Sequence, residues 1–195
     1  MREMIQTEAM TSDDATEVDR LLDIAFGLER RTKTSYRLRE GSSAAEGLSR
    51  VVRERGVGVV GAISFWPLRI GRQGIHALLL GPLAVHPERQ NRGIGLTLMR
   101  EGLATAKALG YRLVLLVGDQ PYYARVGFQL VKSNDILLPG PVNRNRLLFL
   151  ELVPGAMQGV AGLVLPPHRF ARTSAPLAIP HAGSNNEQSR QTEQG

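Results

Sequence analysis

Residues 78–95 read LLLGPLAVHPERQNRGIG, and this stretch decides the fold. The apolar run ending at Val85 has the composition of a strand. An amphipathic pattern begins at Gly95. Leu96, Met99, Leu103 and Ala106 repeat at three- and four-residue spacing, and Gly110 supplies the stop. The stretch is therefore strand, loop, helix, with Gly93 and Gly95 at the helix mouth and Arg89 and Arg92 beside them. A helix N-terminus offers unpaired N–H groups and a partial positive charge. Glycine lets a ligand approach that backbone closely. Such a loop favours a phosphate or pyrophosphate. Gly81-Pro82 interrupts the strand. Proline cannot donate a ladder hydrogen bond, so a bulge or lost pairing is expected there, and with it a gap in the sheet.

Upstream, Leu48 to Arg53 and Val57 to Ile70 read as strands, with turns at Glu54-Arg55-Gly56 and at Gly71 to Gly74. With Ile75 to Val85 they form an antiparallel meander. Met4 to Ala9 reads as a short edge strand. Thr11 to Asp14 is a helix-start signal for a stripe of Val18, Leu21, Leu22, Ala25 and Phe26, closed by Gly27. A charged connector, Glu29 to Lys33, and a short helix, Tyr36 to Arg39, follow. Downstream, Arg112 to Val117 is continuously apolar after its arginine, as a strand buried on both faces is, and implies a parallel crossover. Gln120 to Gly127 reads as a short helix, Phe128 to Lys132 and Asn145 to Val153 as closing strands, and Pro139-Gly140-Pro141 as a loop.

The 195 residues suffice for one domain with a substantial core. The formal net charge of +6 suits anionic ligands. Nucleic acid is not an expected partner: the arginines are scattered, aromatics are 5% and no nucleic-acid motif is present. The absence of cysteine excludes disulfides, cysteine-ligated zinc and a cysteine nucleophile. The longest apolar stretch is too short and too glycine-rich for a membrane span, so a cytoplasmic protein is expected. Residues 3–155 are expected to form the domain, 156–170 an irregular extension, and 171–195 a disordered polar tail.

LGPLAVHPERQNRGIG, a helix, and then LVLLVGDQPYYARVGF resemble the acyl-CoA N-acyltransferase (GNAT) superfamily. Gln90 to Gly95 fits the family's Q/R-x-x-G-x-G/A loop, and Tyr123 to Phe128 fits its Y-x-x-x-G-F element. GDQPYYARVGF with a C-terminal ELVPGA looks like a predicted N-acetyltransferase branch. A dinucleotide G-x-G-x-x-G fails because position 98 is Leu98. The resemblance implies an α/β (α+β) fold: a mixed, mostly antiparallel, twisted sheet, splayed at the cofactor site and flanked by about four helices.

It also implies a function. The protein would transfer an acetyl group from acetyl-CoA, its co-substrate, directly to an acceptor amine in a ternary complex, with no metal. Backbone N–H groups of Gln90, Asn91, Arg92, Gly93, Ile94 and Gly95 would hold the pyrophosphate. Leu83 and Val85 would pair with the pantetheine arm, and the Val85 N–H would face the thioester carbonyl. Tyr123 would be the general acid for the departing thiolate. Many relatives carry a glutamate on the strand entering the loop, and this chain has none there. His76, His86 and Glu29 are the candidate bases by type, with a water path as the alternative. A non-catalytic acyl-CoA-binding sensor or partner module is the rival reading, and a homodimer is possible through edge strands.

Overall fold

The computed structural model describes residues 5–32, 34–132 and 135–174. In chain order the elements are β1 (Glu8–Ala9), α1 (Ala15–Phe26), α2 (Thr34–Arg37), β2 (Arg50–Glu54), β3 (Gly58–Ile70), β4 (Ile75–Val85), α3 (Ile94–Ala108), β5 (Leu113–Val117), α4 (Gln120–Tyr123), β6 (Gln129–Leu130), β7 (Ile136–Leu137), β8 (Leu147–Glu151), β9 (Gly162–Leu165) and α5 (Pro167–Ser174). The main sheet runs β1-β2-β3-β4-β5-β8-β6, and β9 pairs with both β3 and β7. β4 and β5 are parallel and the other main-sheet pairs antiparallel. This is the mixed α+β sheet that the motifs imply.

Local chemistry explains the helix ends. Thr11 and Asp14 form a reciprocal capping box, with the Thr11 N–H donating to the Asp14 carboxylate at 2.8 Å. α1 buries Val18, Leu21 and Leu22 against Val51, Val59, Ala62 and Ala84. Gly27, at φ 74°, ends it. α3 covers the opposite sheet face through Ile94, Leu98, Met99, Leu103 and Ala106. Leu96, read as part of that stripe, sits at its edge, and Leu98 takes the central place.

The third strand bulges where Gly81-Pro82 predicts it. Ile63 pairs with Leu83 and Phe65 with Leu80, so β4 carries one extra residue there. One extra residue reverses which side chains face which side. Leu78 and Leu80 pack in the core beneath α3 before the bulge, and Leu83 and Val85 pack against it afterwards. The Gly81-Pro82 peptide is cis.

Several segments differ from the sequence reading: the short helix read over Tyr36 to Arg39 is Thr34–Arg37, and β7 was not foreseen. The edge strand read over Met4–Ala9 is two residues long, and Met4 lies outside the described residues, as does Lys33 of the connector. The connector is a 3-10 turn, Leu28–Thr32. Residues 156–170, read as irregular, contain β9 and the start of α5. β2 pairs only with the first half of β3, up to Ile63, and β9 takes up the vacated edge at Arg69 and Ile70. Pro167 opens α5, where a missing N–H costs nothing. The tail read over 171–195 lies outside the described residues from position 175 onward.

Candidate active site

The sheet parts between β4 and β5. Their only rungs are Leu78 to Val114 and Leu79 to Leu115, although β4 runs on to Val85 and β5 to Val117. The opening therefore lies between the C-terminal halves of two parallel strands. The His86 N–H donates to the Val60 carbonyl at 2.9 Å, on the β3 side. Successive N–H groups of a strand point to opposite edges, so those of Val85 and Leu83 face the opening. The Val85 carbonyl accepts from Gln90 Nε2 at 3.4 Å.

The loop completes the mouth. Asn91 has φ 61° and Gly93 φ 94°, both left-handed, which turns the chain sharply into α3. The first helical acceptance at this end is from the Thr97 N–H to the Gly93 carbonyl, at 3.0 Å. The N–H groups of residues 91–96 have no acceptor among the described residues, and they converge at the positive end of the helix dipole. A methyl group on Gly95 would overlap the Tyr122 hydroxyl and stand 3.5 Å from Val85 Cγ2. Gly95 is therefore what lets α3, Tyr122 and β4 meet.

The two arginines divide. Arg89 is held by Glu54, with Nη2 at 2.8 Å from one carboxylate oxygen and Nε on the other. That contact, with Arg92 and His86 nearby, lowers the Glu54 carboxyl below its ordinary range. Arg92 is exposed and has no ion pair among the described residues. Arg92 is the free cation at the loop, and Arg89 is a strut.

Tyr123 stands at the far wall. A methyl group on Gly118, the residue after β5, would overlap its ring, and the ring lies edge-on to Phe128 at 6.0 Å and to Tyr122 at 5.2 Å. Burial, reinforced by Tyr122 and Asp119 and opposed by Arg146, pushes its phenol up to about 12. Tyr122 is also raised by burial, which Arg125 opposes.

The three base candidates are not brought together. His76 lies nine residues before Val85 on the same strand, about 30 Å away along β4. It lines a separate hollow of ≈ 700 Å³ with Tyr111, Arg112 and Gly155. Burial and Arg69 lower its pKa. His86 caps the 3-10 turn Pro87–Arg89, its Nδ1 accepting from the Glu88 N–H at 3.4 Å. Glu29 is exposed on the turn after α1, where its carbonyl accepts from Thr32. Sequence reading placed Arg39 in the short helix Tyr36 to Arg39, a region expected to carry substrate contacts in part, but singled out neither Arg39 nor Trp66, which lie on the face opposite α3. Neither lies in a motif, and only the folded chain places them together.

Residues 48–130 match a family model described as an acetyltransferase (GNAT) domain. The uncharacterized N-acetyltransferase YhbS of Escherichia coli (strain K12) is 30% identical over 159 residues, spanning 82% of this chain and 94% of that protein. The chain belongs to the GNAT family of acetyl-CoA-dependent N-acetyltransferases. Among solved structures, E. coli YhbS in complex with CoA superposes with a TM-score of 0.72 at 27% identity, covering 88% of this chain and 96% of that one. A GNAT acetyltransferase from Brucella melitensis in complex with acetyl-CoA gives a TM-score of 0.59 at 30% identity, covering 77% and 90%. Among the described residues of this GNAT protein, no helix is long and apolar enough to cross a membrane.

Proposed function

We propose that the opening between β4 and β5 binds acetyl-CoA and that the protein transfers its acetyl group to a primary amine. The observation that carries this reading is the pairing of a two-rung parallel junction with six unaccepted N–H groups, residues 91–96, at the adjoining helix mouth. The pyrophosphate sits on those N–H groups, and Arg92 adds charge from the side. The pantetheine amides pair with the free edge of Leu83 and Val85, replacing the strand that β5 does not supply. That YhbS was solved with CoA and the Brucella protein with acetyl-CoA supports this choice of ligand.

The chemistry balances without a covalent enzyme intermediate. The ammonium first loses a proton to water. The free amine attacks the thioester carbon, and the carbonyl electrons move to oxygen. The Val85 N–H stabilises that oxyanion. Collapse forms the amide and breaks the C–S bond, while the nitrogen sheds its second proton to water. Tyr123 protonates the departing thiolate and recovers its proton from solvent. With His76 remote and His86 engaged as a cap, water carries the amine's protons.

The test is thiol release from acetyl-CoA across a library of primary amines. Acceptor-dependent release that Tyr123→Phe depresses supports the reading. Tight CoA binding with no release by any amine assigns the protein to the non-catalytic acyl-CoA-binding class instead.

A further inference from the structure

Behind the opening, on the sheet face away from α3, a cation stands without a counter-ion. Leu38 is fully buried in the apolar cluster that also holds Leu68, Leu79 and Leu115, which pins the end of α2 to that face of the sheet. The next residue, Arg39, lays its guanidinium carbon 4.8 Å from the centre of the Tyr36 ring and 5.8 Å from that of Trp66. Its Nε donates to the Ser35 carbonyl at 3.1 Å. Its two Nη groups have no acceptor, and no carboxylate pairs with it, among the described residues. Nearby Arg30, by contrast, is matched by Asp19 and Asp23.

Burial lowers the Arg39 pKa to about 10, an effect that Arg30 reinforces and Tyr36 opposes. The group is still a cation at neutral pH, half-buried against two rings and without a carboxylate partner among the described residues. Trp66 adds a second orphan: its Nε1 is buried and has no hydrogen-bond partner among the described residues. One buried indole N–H and two part-exposed guanidinium arms thus lack acceptors in one place among the described residues. Buried donors are nearly always satisfied, and a planar guanidinium fork fits an oxyanion.

The register locates this pair relative to the chemistry. Trp66 pairs with Leu79, and Leu79 with Leu115, the rung after which the sheet opens. Ser64, opposite the bulge, is two residues along β3 from Trp66, about 7 Å. The row Trp66–Leu79–Leu115 thus sets Arg39, over the Trp66 ring, at the rung where the opening begins.

We propose that the acceptor is a small primary amine bearing an oxyanion, a carboxylate or a phosphate, bound by Arg39 over the Trp66 indole. This rests on the acetyltransferase reading for its amine, but not for its anion site.

Trp66 is the single tryptophan of the chain, so intrinsic fluorescence reports on the site directly. The full chain, saturated with CoA, is titrated with amino acids such as L-methionine and L-glutamate and with O-phosphoethanolamine. Their neutral counterparts, methioninamide and ethanolamine, are run alongside. Thiol release from acetyl-CoA is measured on the same panel. The expected result is that one class of oxyanion probe shifts the fluorescence and reacts with kcat/KM at least 10-fold above its neutral counterpart. Whether the amino acids or the phosphoamine give that response separates carboxylate from phosphate.

Arg39→Gln is expected to erase the preference through KM, with kcat and the CoA affinity changed less than 2-fold, and Arg39→Lys to restore part of it. Trp66→Phe, which keeps a ring and removes the donor, raises KM several-fold. Equal binding and turnover of neutral amines, a preference that survives Arg39→Gln, or no fluorescence response to any oxyanion probe overturns the proposal. Oxyanion binding without thiol release from any amine overturns the acetyl-transfer reading and leaves the anion site standing.

Discussion

Adjacent tyrosines, Tyr122 and Tyr123, do different work. The hydroxyl of Tyr122 touches Gly95 at the loop, whereas Tyr123 closes the far wall over Gly118. A general acid must hold its proton until the thiolate leaves, and a phenol pushed up to about 12 does so across any ordinary assay. Tyr123→Phe is therefore expected to lower kcat by about 10²-fold with the acetyl-CoA Kd unchanged. Wild-type kcat followed to pH 10 should show no alkaline loss that the Phe variant lacks. Asp14 gives a stability prediction with a definite sign. The Thr11 N–H, and secondarily Arg53, hold its carboxyl below the ordinary 3.8 against the opposing cost of burial. A depressed folded pKa contributes stability above the unfolded value, and that stability is lost as pH falls through the folded one. Asp14→Asn should lower the urea midpoint at pH 7, and its deficit should shrink steadily below pH 3.8.

At the scale of elements, α3 lies close on the sheet because glycines face it from both sides. A methyl on Gly61 would stand 2.5 Å from Ile94 Cγ2, and one on Gly102 would stand 2.5 Å from the Phe65 ring. The Phe65 ring is wholly buried and has nowhere to swing. Gly102→Ala should thus cost about 1–3 kcal/mol in denaturant unfolding, although alanine is the better helix former. The same elements show how far the sequence was readable. Features set by neighbours in the chain were legible: the helix start at Thr11 to Asp14, the bulge at Gly81-Pro82, the glycine loop, and Tyr123 four residues before Gly127. Features set by distant partners were not. β9 is four residues long and exists because β2 leaves the end of β3 unpaired. Pro166-Pro167 lies in the stretch read as irregular, whereas the second proline starts α5. Arg39 and Trp66 lie 27 positions apart without a motif, and only the docking of Leu38 brings them together.

At the scale of the whole molecule, two half-sheets meet weakly. β1 to β4 form one side and β5, β8 and β6 the other, and two rungs plus the crossover helix join them. Among the longer strands the other neighbours are more fully paired: β2 with β3 and β5 with β8 each share five registered pairs, and β3 with β4 nine. The seam is where pairing between the longer strands is thinnest, and it coincides with the proposed acetyl-CoA site. A ligand that pairs with Leu83 and Val85 while resting on the N-terminus of α3 supplies the missing strand edge, so its binding free energy is added to the cohesion of the two halves. At a ligand concentration 100 times Kd this amounts to about 2.7 kcal/mol. For a chain of this size that corresponds to a rise in Tm of roughly 5–10 °C. Scanning calorimetry with and without CoA measures it. Hydrogen exchange localises it: protection should rise at Leu83, Val85 and residues 91–96, and little at β2 or α1. Gly93→Ala, which strains a backbone at φ 94°, should shrink the CoA-induced shift by more than it lowers the Tm of the free protein. A shift that is absent, or protection that rises at β2 instead, would mean that the opening in the sheet is not where the cofactor binds.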